Sequence, residues 1–291
     1  MSDDILSLME DKAHRFSKGQ RRIAAYIQES YDKAAFLTAS KLGKAVNVSE
    51  STVVRFAMEL GYDGYPSMQK AMQEMVMNRL TSVQRIGVAN DRIGDNDIVK
   101  SVLQSDMEKL RLSAEMVDRE SFRAAVDTIL KARRIYVIGV RSAAMLANFM
   151  GYYLNYMFDN VHVITASGGS EMFEKLVGVR AEDAVLAFSF PRYSTATVNG
   201  AQYCRQVGAT VIGLTGSSMS PLAQNCDYLL LAKSDMLSLV DSLVAPLSVV
   251  NALLVALASG REKVLAENFD TLERVWEEYN VYEKRNDGSE F

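Results

Sequence analysis

The sequence predicts two domains of different class: an all-α N-terminal helix-turn-helix domain, and behind it an α/β domain built on a doubly wound sheet of five parallel strands. Three observations predict this. Residues 38–61, TASKLGKAVNVSESTVVRFAMELG, carry the caps and apolar spacing of two short helices joined by a tight turn. From Arg134 onward the apolar period changes, and five short runs rich in Val, Ile and Leu alternate with helical segments. Charge divides the chain the same way. From Lys12 to Lys70 ten Lys or Arg oppose five Asp or Glu, a net of +5, whereas the rest holds 22 against 31, or -9, of the total 32 against 36.

In chain order, Ser17 to Ser30 reads as a capped helix with Ile23, Ala24, Tyr26 and Ile27 available for packing. Thr38 caps the next helix, with Leu42, Ala45 and Val46 facing inward and small Gly43 where two backbones approach closely. Asn47 tolerates the positive φ that a tight turn needs. Ser49 caps the following helix, which turns Val53, Val54 and Leu60 inward and stops at Gly61. Pro66 sits at the start of a helix running to about Asn78. The domain divisions expected are 1–78 for the helix-turn-helix domain, 79–95 for a linker and 96–291 for the α/β domain with bracing helices.

Asp95 or Asn96 is expected to cap a long helix in which Ile98, Val99, Val102, Leu103, Met107, Leu110 and Leu112 recur at helical spacing. A second helix spans Asp118 to Lys131. The strands then follow as RIYVIGV, VHVIT, AVLAFSF, TVIGLT and DYLLLA, with two long helices closing the chain. The apolar stretch Leu243 to Leu257, broken by Pro246, Ser248 and Asn251, reads as a buried helix. No apolar run reaches the roughly 18 residues of a membrane span, and the N-terminus is acidic where a signal peptide is basic. The expected location is therefore the cytoplasm, with no membrane partner. Cys204 and Cys226 form no metal or redox spacing and are expected as free thiols.

Two sites follow from the chemistry. In a helix-turn-helix the first turns of the second helix enter the major groove, so Ser49, Glu50, Ser51, Thr52 and Arg55 are expected at bases or phosphates of duplex DNA. Arg21 and Lys41 add positive charge beside them. In a parallel sheet, ligands bind outside the carboxyl ends of strands. The first strand ends in Gly139, Val140, Arg141, Ser142 and the third in Ser189, Phe190, Pro191, Arg192, Tyr193, Ser194, Thr195, each leading into a helix whose open N-terminus suits an anion. Ser170 lies in a glycine-containing loop after the second strand.

This order of domains resembles the RpiR family of bacterial transcription regulators, whose C-terminal part is a sugar isomerase (SIS) domain. The resemblance covers nearly the whole chain and is clearest in VSESTVVRFAMELGYDGYP, residues 48–66, and SFPRYST, residues 189–195. It implies a SIS-type fold in which Ser142, Ser189 and Ser194 hold the phosphate of a phosphosugar. The second loop of SIS enzymes usually carries another serine and then a glycine, where this chain has Pro191 and Arg192. Arg192 supplies a charge clamp instead. By resemblance such regulators bind operator DNA as homodimers or homotetramers, and a phosphorylated sugar alters their grip.

Three functions are weighed: a ligand-gated transcription regulator, a phosphosugar isomerase or lyase with a fused helical domain, and a helical adaptor that binds protein through residues 38–61. An isomerase needs a placed acid and base, commonly Glu with His. The chain has two histidines, His14 in the N-terminal region and His162 inside a strand, and Glu171 has no obvious partner. No phosphate loop, metal-ligand cluster or nucleophile motif occurs. The sequence thus points to a regulator without a catalytic site, cofactor or metal.

Overall fold

The computed structural model describes residues 5–79, 97–166, 168–234 and 241–282. These fall into two compact units that divide between Asp97 and Ile98. The segment expected as a linker, together with the Asp95 or Asn96 cap, lies almost wholly outside the described residues.

The N-terminal unit contains α1 (Ile5–Lys12), α2 (Lys18–Glu29), α3 (Tyr31–Ala34), α4 (Ala39–Ala45), α5 (Glu50–Leu60) and α6 (Tyr65–Arg79). Its helix starts are fixed by side chains. Ser17 accepts from the Gln20 N–H while the Gln20 side chain accepts from the Ser17 N–H, a reciprocal capping box at α2. Thr38 caps α4 through the Lys41 N–H, and Ser49 caps α5 through the Thr52 N–H. Asn47 has φ 52° in the turn, and Gly61 ends α5 at φ 99°. A Cβ at Gly43 would stand 2.8 Å from the Val48 carbonyl oxygen, so the absence of a side chain lets α4 and the turn close. Ile23, Ile27, Leu42, Val53, Phe56, Leu60, Met68 and Met72 form the core, and the Tyr65 hydroxyl donates to the Leu37 carbonyl at 2.6 Å. One expectation is corrected: Ala45 is exposed, and Ala39 and Gly43 take the inward positions on α4 with Leu42. The buried stripe runs Ala39, Leu42, Gly43 and Val46, at spacings of three and four, and leaves Ala45 on the outer side of the last turn. Replacing Ser17 by alanine removes one half of the capping box and is expected to cost about 1 kcal/mol, read as a lower melting temperature of the N-terminal unit.

The C-terminal unit opens with α7 (Ile98–Met116) and α8 (Arg119–Lys131), the latter capped by Asp118. The sheet and its helices follow as β1 (Ile135–Gly139), α9 (Ala143–Leu154), β2 (Val161–Ile164), α10 (Gly169–Leu176), β3 (Ala184–Phe188), α11 (Thr195–Val207), β4 (Thr210–Thr215), β5 (Tyr228–Leu231), α12 (Val244–Gly260) and α13 (Glu262–Glu278). All five strands are parallel, in the order β2-β1-β3-β4-β5. Residues of α8, α9 and α12 join Val137, Leu186 and Leu214 in the core on one face of the sheet. Residues of α10 and α11 pack on Ile138, Val185, Ala187 and Val211 on the other.

β1 and β3 are buried at every position, as two-sided cover requires, whereas the edge strand β2 is buried only at Ile164. The expected burial of VHVIT on both faces therefore gives way to its edge position. The apolar stripe of α7 does not enter this core either. Ile98, Val99, Leu103 and Met107 are 58–67% exposed, and the buried residues of that helix are Lys109 and Ser113. Leu272 and Trp276 on α13 are only half-buried. Among the described residues no single helix is long and apolar enough to cross a membrane. The pair α12 and α13 meets that length only across a 95° bend, and α12 is the buried helix expected from Leu243 to Leu257. Both cysteines are free, and burial pushes each thiol up to about 12, which keeps them protonated and unreactive.

Candidate functional site

Two places gather the expected site residues. In the N-terminal unit, the first turns of α2 and α5 meet, since a Cβ at Gly19 would touch the Thr52 and Val48 methyls at 3.4 Å. Between them lies a cleft of roughly 550 Å³ lined by Ser17, Gly19, Gln20, Arg22, Val48, Ser49, Thr52 and Arg55. Ser49, Thr52 and Arg55 are thus brought together. Glu50 and Ser51 are exposed on the same helix start without lining the cleft, and Lys41 is exposed on α4. Arg21 is exposed but spends its Nε–H on the Phe16 carbonyl at 3.1 Å. The Ser49 hydroxyl already serves the helix: it lies 2.9 Å from the Ser51 hydroxyl and 2.8 Å from that of Thr52 while capping α5. Gln20 and Gly19 are members of this cleft that sequence reasoning missed, because they lie one helix away from the motif.

In the C-terminal unit the strand order reverses between β1 and β3: the connection from β1 leads outward to β2, and the chain then crosses back to β3 and on to β5. The carboxyl ends of β1 and β3 are therefore neighbours at the switch point, with Gly139 paired to Phe188. At the first end, a Cβ on Gly139 would lie 2.6 Å from the Ala143 carbonyl oxygen and 3.1 Å from the Ala147 Cβ. Only glycine lets α9 start so near the strand. Arg141 then adopts φ 58°, a left-handed conformation that costs a non-glycine residue about 1–2 kcal/mol. Ser142 precedes α9 in helical conformation, with no side-chain capping bond, and both residues are exposed.

At the second end, Ser189 is buried, its N–H donating to the Leu214 carbonyl at 3.1 Å, and Arg192 is exposed. Ser194 starts α11 with no side-chain capping bond, and Thr195 is exposed in the first turn. Helices of 12 and 13 residues thus start from neighbouring strand ends, each with a serine hydroxyl not used for capping. Ser170 is exposed in the first turn of α10 after β2, on the far side of β1 from β3. Ser167 of that loop lies outside the described residues.

The groups weighed for acid-base work are placed elsewhere or engaged. His162 stacks on Tyr136 at 4.9 Å between ring centroids, and Glu171 pairs with Lys175 at 3.0 Å along α10. His14 Nδ1 lies 3.1 Å from the Asp11 carbonyl oxygen. Among the described residues no group of His, Cys, Asp and Glu has the geometry to hold a metal ion.

A helix-turn-helix unit followed by a five-stranded parallel sheet with serine loops at its switch point defines a class: a transcription regulator with a SIS domain. Family models match both parts, a helix-turn-helix domain of the rpiR family over residues 3–79 and a SIS domain over residues 128–256. The chain belongs to the RpiR family. An uncharacterized HTH-type transcriptional regulator of Haemophilus influenzae is 23% identical over 91% of this chain and 94% of its own length. The HTH-type transcriptional regulator HexR of Pseudomonas aeruginosa is 22% identical over 76% of each chain. Among solved structures, the sugar isomerase domain of an RpiR transcription factor from Sphaerobacter thermophilus matches with TM-score 0.58 and 29% identity, over 61% of this chain and 98% of that one. NanR of Vibrio vulnificus, complexed with ManNAc-6P, matches with TM-score 0.58 and 22% identity over 93% of this chain and 97% of that one. The second of these shows the fold alone.

Proposed function

We propose that this regulator acts on genes of sugar metabolism and that a phosphorylated sugar, bound at the switch point of the sheet, modulates its grip on operator DNA. The adjacency of β1 and β3 carries the reading, because the segment with Arg141 and Ser142 and the segment with Ser189, Arg192, Ser194 and Thr195 leave neighbouring strand ends. Two helix N-termini, two guanidinium groups and three serines are what a dianionic phosphate needs. The left-handed Arg141 supports it, since backbone strain of this kind persists where a site requires a side chain to be aimed. A complex of NanR with ManNAc-6P makes that compound a first candidate effector.

On the DNA side, Ser49, Glu50, Ser51, Thr52 and Arg55 enter the major groove, with Arg21, Arg22 and Lys41 near phosphates. The local charge of +5 supports this. The assembly is a homodimer or homotetramer in the cytoplasm, with the exposed apolar residues of α7 and those of α13 at subunit contacts. Binding of the sugar changes DNA affinity only to the extent that it favours one spacing of the two heads over another. A regulator is preferred over an isomerase because His162 and Glu171 are engaged apart from each other.

The test is a thermal-shift panel of inorganic phosphate, ManNAc-6P, glucose 6-phosphate and fructose 6-phosphate, followed by gel shifts on the protein's own promoter. Ser189→Ala is expected to abolish the sugar-phosphate shift and the effector response while leaving effector-free operator binding at the wild-type level. Turnover of any panel member by pure protein would overturn the non-enzymatic reading.

A further inference from the structure

Five buried side-chain atoms have no hydrogen-bond partner among the described residues, and their positions are not scattered. Arg133 Nε and Asp183 Oδ1 belong to one ion pair at the amino-terminal edge of the sheet, 2.8 Å between its closest atoms. The other three are hydroxyls at the carboxyl edge: Thr197 in the first turn of α11, Thr215 at the end of β4, and Ser234 just after β5.

A buried hydroxyl is unusual without a partner, because it has given up its bonds to water. Within helices this chain normally supplies one. Thr128, Ser248 and Thr271 each donate to the carbonyl four residues earlier, at 2.8, 3.0 and 3.1 Å. Thr197 sits in the first turn of α11, where the residue four earlier precedes the helix, and it is fully buried. Thr215 is fully buried as well, and its backbone is spent on the ladder, its carbonyl accepting from the Ala232 N–H at 2.9 Å.

Strand alternation puts Ser189 and Thr215 on one face of the sheet. Val185 and Ala187 of β3 and Val211 of β4 face the core under α10 and α11, so by the two-residue period Ser189 and Thr215 continue on that face. Phe188 is in register with Leu214, and the Ser189 N–H donates to the Leu214 carbonyl, which makes Ser189 and Thr215 lateral neighbours about 4.8 Å apart in backbone. On α11, Thr197, Ala201 and Cys204 are all buried at helical spacing, and Ala201 and Cys204 pack on that same face. Thr197 therefore lies on the stripe of α11 that faces the side of the sheet to which Ser189 and Thr215 belong.

We propose that the hydroxyls of Thr197 and Thr215 complete their hydrogen bonds on the sugar hydroxyls of the phosphorylated effector, beyond the loops that hold its phosphate. The inference rests on the phosphosugar reading above and assigns to this pair the choice among sugars. A hydroxyl suits the task because it both donates and accepts, so a sugar lacking the matching hydroxyl leaves it unpaired.

The experiment measures dissociation constants by calorimetry for inorganic phosphate and for the tightest sugar phosphate of the panel. It compares wild type, Thr197→Val, Thr215→Val and the hydroxyl-retaining Thr197→Ser and Thr215→Ser. Valine keeps the shape of threonine and removes the oxygen. The expected result is that each valine variant narrows the preference for the sugar phosphate over inorganic phosphate by about tenfold, the worth of one neutral hydrogen bond. The serine variants keep that preference. Because no protein bond is lost, the ligand-free melting temperature of the valine variants is not expected to fall. Wild-type preference in both valine variants, with binding still abolished by Ser189→Ala, overturns this inference alone. A wild-type protein that binds no member of the panel overturns the phosphosugar reading together with it.

Discussion

Arg55→Ala is expected to weaken operator binding by about 1–3 kcal/mol, roughly 5- to 150-fold, while the fold and the response to the effector survive. Arg55 is exposed on α5, one turn beyond the helix start, and projects beside the cleft that Gln20 and Arg22 line from α2. Its neighbours on α5 have less freedom. Ser49 holds the cap, and the hydroxyls of Ser51 and Thr52 are tied to it. The arginine is therefore the long, charged group best able to reach a base edge from a surface otherwise made of short hydroxyls. Its role divides by salt. A base reader relaxes sequence preference on loss of the side chain, whereas a phosphate contact lowers the slope of log K against log salt by about one. Gel shifts at two or three salt concentrations, on operator and on scrambled duplex, separate the two. Wild-type affinity on both duplexes would remove Arg55 from the interface.

The helix starts of the head were legible because each depends on residues a few positions apart: Ser17 with Gln20, Thr38 with the Lys41 N–H, Ser49 with the Thr52 N–H. Gly43 and Asn47 were legible for the same local reason, one for lack of a Cβ and one for tolerance of positive φ. The two strand ends could be named in advance because glycine and serine after an apolar run mark the carboxyl end of a buried strand. That they are neighbours needed the strand order, which no single segment encodes. Ala45 lies outward because the stripe that meets the core is Ala39, Leu42, Gly43 and Val46, and a short helix with few large apolar residues leaves the choice between adjacent stripes open in the sequence. The stripe on α7 has the right period and still lies exposed, since periodicity reveals an apolar face without revealing what covers it. Thr197 and Thr215 were invisible as site residues: a threonine in a helix or strand is ordinary, and only the lack of a partner in three dimensions marks it.

Gly139→Ala is expected to abolish binding of every sugar phosphate in the panel and to lower the stability of the C-terminal unit by about 1–3 kcal/mol. The added methyl would stand 2.6 Å from the Ala143 carbonyl oxygen, 3.1 Å from its carbon and 3.1 Å from the Ala147 Cβ. Two of these three are backbone atoms, so no side-chain rotation relieves the clash and α9 has to move off β1. That movement carries the Arg141 turn and Ser142 away from Ser189, although no group that touches ligand has been changed. Gly178→Ala is the control, since its Cβ would meet only the tips of the Arg134 and Tyr136 side chains at 3.5 and 3.7 Å. It is expected to leave both melting and ligand binding near wild type. The same logic spares the head, whose helices bury a core of their own. Gly139→Ala protein is thus expected to bind operator without responding to any sugar phosphate. A variant that keeps the thermal shift of wild type would show that the crevice tolerates displacement of α9 and that the phosphate is held elsewhere.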